Sequence, residues 1–303
     1  MQQDRSPFWP LDQARDEYSQ AGEDGIAEAI LAQLPGRNNW VVEFGAWDGL
    51  HLSNSRHFIM SHEFSAVLIE GSPDRFADLQ SLYRDRPDVH TLNVFVRTSG
   101  DDTLDQILAR TPIPQDFDYL SIDIDGNDYH VWKSLAQFRP KLVCIEFNPT
   151  VPSDVSFIQA DDFGVKHGTG LLSMVELGRE KGYELATLTA ANAFFVQEEL
   201  FDILQIADNS IGTLRRDTSA VTHVFSGYDG TVFVVGNKEL PWHQMPMRLS
   251  GRQDLPSFLR KFPLDYGPAR KFLFYSHFAT RHPIDLARKV IRWLRRRSGK
   301  SRD

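Results

Sequence analysis

The sequence predicts an α/β fold, a Rossmann-like doubly wound sheet that is mostly parallel and carries an antiparallel hairpin strand at the C-terminal end of the domain. Three observations predict it. From residue 40 to about 200, short apolar runs alternate with segments of helical spacing, the pattern of a parallel sheet with crossover helices. Most of the helical segments start at a capping residue placed just after an apolar run. The last two apolar runs, Tyr183 to Leu188 and Ala193 to Val196, lie too close together for a parallel crossover, which needs about a dozen residues, so they must pair antiparallel.

Taken in order, the spacing predicts an opening helix from Ser19 to Leu34, with Ser19 and Glu23 near capping-box spacing. Strands follow at Trp40 to Gly45, Ala66 to Glu70, Val89 to Val94, Tyr119 to Asp123 and Leu142 to Phe147, and all five read as buried. Between them, helices start at Ser53, at Ser72 with Pro73, at Asp101 or Asp102, and at Asn127. A loop rich in Pro, Ser and Asp spans Pro149 to Gly170, and helical spacing returns from Leu171 to Lys181, ending at Gly182. Beyond residue 205 the texture changes. Val221 to Phe225 and Thr231 to Val235 flank a Gly-Tyr-Asp-Gly turn, a hairpin signal, and a Pro-interrupted stretch dense in aromatic residues and histidines follows. The expected organisation is therefore a ligand-binding domain over residues 1–205 and a C-terminal extension over 206–303.

Composition narrows the class. A single cysteine, Cys144, sits in an apolar run; it excludes an intramolecular disulfide framework and a Cys-rich zinc site, and fits a reducing compartment. No basic-then-apolar leader opens the chain and no run approaches the ~18 apolar residues of a spanning helix, so a cytoplasmic protein is expected. A net charge of −8 argues against broad nucleic-acid affinity. The tail departs from that average. Arg288, Lys289, Arg292, Arg295, Arg296, Arg297, Lys300 and Arg302 interleave with Val290, Ile291, Trp293 and Leu294, which reads either as a solvated tail or as a basic amphipathic helix making peripheral contact with the inner membrane surface.

The residues that carry chemistry stand at strand ends, where open α/β sheets bind ligands. The first strand ends in Glu43-Phe44-Gly45-Ala46-Trp47-Asp48-Gly49, whose glycines let backbone approach a ligand; the spacing is not the Gly-x-Gly-x-x-Gly that cradles a pyrophosphate, which favours a cofactor without phosphates. Glu70, about 20 residues beyond those glycines and at the end of the second strand, can accept both hydroxyls of a ribose. After the fourth strand comes Asp123-Ile124-Asp125-Gly126-Asn127-Asp128, and at the end of the fifth stands Glu146. Adjacent strands bring Asp123 or Asp125 within reach of Glu146, and gathered like charges need relief. One solution is a hard divalent cation such as Mg²⁺ held by Asp123, Asp125 and Glu146. Another is a general base for an acceptor hydroxyl. A third leaves Asp123 on an amino group, Asp125 and Asn127 shaping a turn, and Glu146 in solvent. A calcium loop fails, because its twelfth position, counted from Asp123, is Ser134. His130 could take a proton from a hydroxyl or serve as a structural residue. Nucleophile-elbow, His-Glu-x-x-His and P-loop patterns do not occur.

These residues resemble the FkbM-type methyltransferase family. The likeness runs through Ser19 to Ile26, Val42 to Gly49, Leu68 to Pro73, Thr103-Leu104-Asp105, Phe117 to Tyr129 and Asn192 to Val196, in the family's order. One departure is that Asp125 stands where a glutamate is usual in the family. The resemblance implies a class I methyltransferase sheet and S-adenosylmethionine-dependent O-methylation, often of a sugar hydroxyl on a glycan or natural product. It also implies that Glu43, Gly45 and Gly49 shape the methionine pocket, Glu70 holds the ribose, Asp123 contacts the amino group or a metal, and Asp125 and Glu146 face the acceptor. Two rival readings stand beside it: a nucleotide-sugar-dependent transferase, which would also use a Rossmann-like half with convergent aspartates, and a non-catalytic membrane-associated scaffold resting on the basic tail. The sequence leaves the acceptor and the oligomeric state open.

Overall fold

The computed structural model describes residues 8–248 and 250–298. Residues through Val221 form one compact unit and those from Thr222 a second. In the first, helix α1 (Glu23–Gln33) leads into strand β1 (Trp40–Phe44), followed by α2 (Arg56–Ser61), β2 (Ser65–Glu70), α3 (Pro73–Leu82), β3 (Val89–Asn93), α4 (Leu104–Leu108), β4 (Tyr119–Ile122), α5 (Asp128–Ser134), β5 (Leu142–Glu146), α6 (Leu171–Glu180), β6 (Tyr183–Leu188) and β7 (Asn192–Gln197), with two short helices, α7 (Glu198–Phe201) and α8 (Ile211–Leu214), at its end.

The seven strands lie in the order β3-β2-β1-β4-β5-β7-β6, with β7 antiparallel to both β5 and β6 and the other pairs parallel. This is the predicted fold class. Alternation of side chains along the strands splits the core in two. Val42, Phe44, Val67, Ile69, Leu120 and Ile122 pack with Ile107, Trp132 and Met174 of α4, α5 and α6, whereas Val41, Ala66, Leu68, Tyr119 and Cys144 pack with Ile26, Ile30, Phe58 and Leu79 of α1, α2 and α3. A three-layer sandwich results, and burying both faces is why the central strands read as continuous apolar runs. The expectation that all five parallel strands are buried fails for β3, where of five residues only Val89 is buried, because β3 is the edge of the sheet.

Helix starts differ from expectation for identifiable reasons. Four residues predicted as the first turn of the opening helix instead form a turn in which Ala21 and Gly22 take positive φ, 54° and 86°. Ser19 still caps, but its reciprocal partner is Asp24 rather than Glu23: Ser19 Oγ accepts the Asp24 amide at 2.9 Å, and Asp24 Oδ2 accepts the amides of Glu17, Tyr18 and Ser19. Glu23 is thereby left to point into the protein. Helix α2 starts at Arg56, whose amide the predicted cap Ser53 accepts at 3.2 Å while donating its own hydrogen to Glu43, and α4 starts at Leu104, past the two aspartates expected to cap it.

The first unit continues past residue 205. Leu214 is buried in its core, and Arg215 donates to the carbonyls of Pro149 and Val151. The second unit holds a hairpin, β8 (Thr222–Ser226) with β9 (Val232–Gly236), a two-residue pairing of β10 (Glu239–Leu240) with β11 (Met245–Pro246), and helices α9 (Pro268–Arg281) and α10 (Pro283–Ser298). The basic segment is helical as far as Ser298, while Lys300 and Arg302 lie outside the described residues. Among the described residues no helix is long and apolar enough to cross a membrane.

Candidate active site

The order of strands reverses between β1 and β4, and parallel sheets bind ligands outside the carboxyl ends of their strands at such a point. Every strand-end residue singled out in the sequence stands on this side. The bend after β1 is built around Gly45 and Gly49, at φ 77° and 72°. The protein's own atoms already account for both glycines: a Cβ at Gly45 would stand 2.0 Å from the carbonyl oxygen of Asp123, and one at Gly49 would stand 2.5 Å from Leu79 Cδ1 and 2.9 Å from the Tyr83 ring. Close approach of a ligand is therefore not needed to explain them.

The bend is tied to the end of β2. The amides of Gly45 and Ala46 donate to the Ile69 carbonyl, and the Trp47 amide donates to Glu70 Oε2 at 2.9 Å, while Glu70 Oε1 accepts the Ser72 amide at 2.6 Å. Glu70 thus bridges the turns after β1 and β2, in contact with the bend as the sequence reading required. Each of its oxygens accepts one hydrogen bond and has capacity for a second. Glu43 is placed differently. It is buried and encircled by Ser53 Oγ, Ser55 Oγ and the Asn54 amide at 2.7, 2.5 and 2.7 Å, so it organises the loop before α2. Burial raises its pKa against those hydrogen bonds.

After β4 the chain turns through Asp125, at φ 54°, and Gly126. Asp128 holds this turn: its carboxylate accepts the amides of Ile124 and Gly126 at 2.9 and 2.8 Å. The predicted cap, Asn127, instead bonds sideways to Asp161 and Gln159 of the loop between β5 and α6. That loop is also held by Lys166, which donates to the Ile124 carbonyl, and by His130, whose Nε2 meets the Gln159 carbonyl at 2.8 Å. His130 is thus engaged with loop backbone through one ring nitrogen.

Asp123, Asp125 and Glu146 do converge, each offering a carboxylate oxygen within 4.8 Å of the others'. Burial, with Asp128 and Asp125 nearby, pushes Asp123 up to about 8, and burial with Asp123, Asp128 and Asp125 pushes Glu146 up to about 9. The folded state therefore holds protons that an unfolded carboxylate releases near pH 4, and its stability falls as pH rises from there through those raised values. Thermal melts across that range are expected to show a steady decline, and Asp123→Asn to flatten it; a decline of equal size in both proteins would refute this account.

Three residues escaped the sequence reading. Glu23 is 1% exposed; its Oε1 accepts Asn192 Nδ2 at 2.6 Å, and burial raises it to about 7. Asn192 stands opposite Glu146 across β5 and β7, so it belongs to the same end of the sheet. Asn54 donates to Ser121 at 3.1 Å. Among the described residues Glu23 Oε2, Asn54 Oδ1 and Asn192 Oδ1 are buried acceptors without a donor. Glu23 and Asn192 lie inside the stretches that carried the family resemblance, the one signal that could have found them.

Residues 54–185 match the family model described as Methyltransferase FkbM domain. The match takes in Glu70, Asp123, Asp125 and Glu146 and begins after the glycine bend. No curated protein matches the chain. Similar solved structures include the N-terminal domain of EvdMO1 in the presence of S-adenosylhomocysteine and D-fucose, at 13% identity and TM-score 0.39 over 60% of this chain and 84% of that one. The CurJ carbon methyltransferase aligns at 10% identity and TM-score 0.39 over 60% of this chain and 56% of its own, and Aeropyrum pernix fibrillarin with bound S-adenosyl-L-methionine at 14% and 0.37 over 53% and 67%.

Proposed function

We propose, on the premise that the chain belongs to the FkbM-type S-adenosylmethionine-dependent methyltransferases, that it methylates a hydroxyl group of a small molecule, a sugar, a glycan or a natural product, and that it does so at the carboxyl ends of β1, β2, β4 and β5. The observation that carries this reading is the convergence of Asp123, Asp125 and Glu146 beside the bend that Glu70 braces.

S-adenosylmethionine supplies a methyl group on a sulfonium whose departing sulfur is neutral, so the protein's tasks are alignment and removal of the hydroxyl proton. The residues fit that cofactor. Glu70 has acceptor capacity for ribose hydroxyls at both carboxylate oxygens. Gly45, Gly49 and Glu43 shape this pocket from behind, by fixing the bend and the loop before α2. Asp123, a member of the carboxylate cluster, is assigned to the cofactor's amino group or to a metal ion. Asp125 and Glu146 are placed to face the acceptor. Burial among the other carboxylates pushes Glu146 up to about 9, so it holds a proton at neutral pH and becomes a general base only once a bound cation or substrate draws that proton off. The same oxygens could instead hold Mg²⁺, which would bind the hydroxyl and lower its pKa. His130 positions the loop between β5 and α6 over the acceptor side.

Calorimetric titration of S-adenosylhomocysteine into the purified protein, without and with Mg²⁺, tests the reading. Saturable binding is expected. Absence of binding in both conditions, or binding of a UDP-sugar in its place, would overturn it.

A further inference from the structure

A second group of ligating side chains lies apart from the proposed active site, where α1 meets α2. His57 stands in the first turn of α2, His62 just past its end, and Glu28 in the middle of α1. His57 Nε2 lies 3.0 Å from Glu28 Oε2 and 3.2 Å from His62 Nε2, and His62 Nε2 lies 3.5 Å from Glu28 Oε1. A tetrahedral zinc ion with bonds of about 2.0–2.1 Å separates its ligand atoms by about 3.3 Å. The three separations, two of them to different oxygens of Glu28, fall near that value.

The surroundings favour a cation at this point. His57 Nδ1 lies 3.1 Å from Glu17 Oε2; a carboxylate accepts, so the ring carries its hydrogen on Nδ1. In the neutral ring Nε2 is then a lone pair, and it faces a carboxylate oxygen of Glu28 that is also a lone pair. Two acceptors at 3.0 Å repel unless a proton or a metal ion lies between them. A metal-bound histidine whose second nitrogen donates to a carboxylate is the usual arrangement around zinc, and Glu17 supplies that carboxylate. Arg15 Nη2 holds Glu28 Oε2 at 2.6 Å and fixes the orientation of the carboxyl group. His57 is buried, but the side chains of His62 and Glu28 are each 33% exposed, which gives an ion a path in.

We infer that Glu28, His57 and His62 form a zinc site, with water in the fourth position and Glu17 in support. The site clips α1 to α2. Its consequence for the molecule is mechanical: α1 carries Glu23 inwards to Asn192, and α2 follows the loop whose serines hold Glu43. Two imidazoles and a carboxylate suit zinc and its late first-row neighbours, whereas the all-oxygen group of Asp123, Asp125 and Glu146 suits a harder ion, so the two groups are separable by metal and by mutation.

The experiment titrates Zn²⁺ into chelator-treated full-length protein against a chromophoric chelator and follows the thermal midpoint in parallel. Wild type is expected to bind one equivalent and to melt at a higher temperature with zinc. His62→Ala, at a half-buried position that the fold can spare, is expected to lose zinc affinity by more than about tenfold and to lose the rise in melting temperature, Glu28→Gln to behave alike, and Glu17→Ala to lose roughly 10- to 100-fold. An Asp123→Asn, Glu146→Gln double variant should keep both effects. No zinc uptake by wild type, uptake that survives His62→Ala and Glu28→Gln, or uptake lost in the double variant would each overturn the assignment. The first of these would leave a proton, rather than a metal, shared between His57 and Glu28.

Discussion

Gly45→Ala is expected to lower the melting temperature by roughly 10 °C and to abolish cofactor binding. The added methyl would stand 2.0 Å from the Asp123 carbonyl oxygen, closer than any Cβ contact that real structures tolerate, and the neighbour it meets is backbone. The strand end or the loop after β4 must move. Overpacking of this kind costs about 1–3 kcal/mol, and a non-glycine residue at φ 77° adds about 1–2 kcal/mol. For a domain of this size each kcal/mol is worth about 2–4 °C. Gly36→Ala is the control, because Gly36 also has positive φ, 64°, but nothing lies within 4 Å of its Cβ position. Differential scanning calorimetry of the two variants should separate them clearly. Equal melting temperatures would show that the contact with Asp123 is not rigid, and that the carboxylate cluster is not held by the bend.

Glu70→Ala is expected to weaken S-adenosylhomocysteine binding by roughly 10- to 150-fold, the equivalent of about 1.5–3 kcal/mol for hydrogen bonds to a charged acceptor. Two losses combine. The ribose would lose its acceptors, and the Trp47 and Ser72 amides would lose theirs, which frees the bend and the start of α3. Glu70→Gln separates these, since an amide keeps one acceptor oxygen for backbone but surrenders the charge. Calorimetry on both variants, with melting curves to confirm that they fold, decides the matter. An affinity within threefold of wild type for Glu70→Ala would remove this residue from the site.

The strands were legible because a parallel sheet covered on both faces must be written as apolar runs, and the strand ends were legible because acids and glycines there interrupt those runs. Helix starts were less so. Ser53 does accept the Arg56 amide at the start of α2, but nothing local reveals that a buried carboxylate on β1 will take the hydroxyl hydrogens of both Ser53 and Ser55. Glu70, Asp123, Asp125 and Glu146 could be singled out from position alone, since register between neighbouring strands brings their ends together. Glu23, Asn54 and Asn192 could not. The bond between Asn192 and Glu23 spans 169 residues, and a helical glutamate near an N-terminus reads as a surface residue until its partner is known. The histidines at 57 and 62 follow no ligand spacing that a helix would make regular, and Glu28 lies on a different element.

The antiparallel insertion of β7 has a consequence for how the molecule comes into being. Running against its neighbour, β7 delivers its first residue, Asn192, to the edge where the parallel strands finish, and there it meets α1, whose Glu23 lies 169 residues earlier. A chain still emerging from the ribosome can lay down β1 to β5 in sequence, but the bond between Asn192 and Glu23 waits for the β6–β7 hairpin. Closing so long a loop is entropically slow. The protein therefore acquires its parallel strands early and the contact that joins α1 to β7 late.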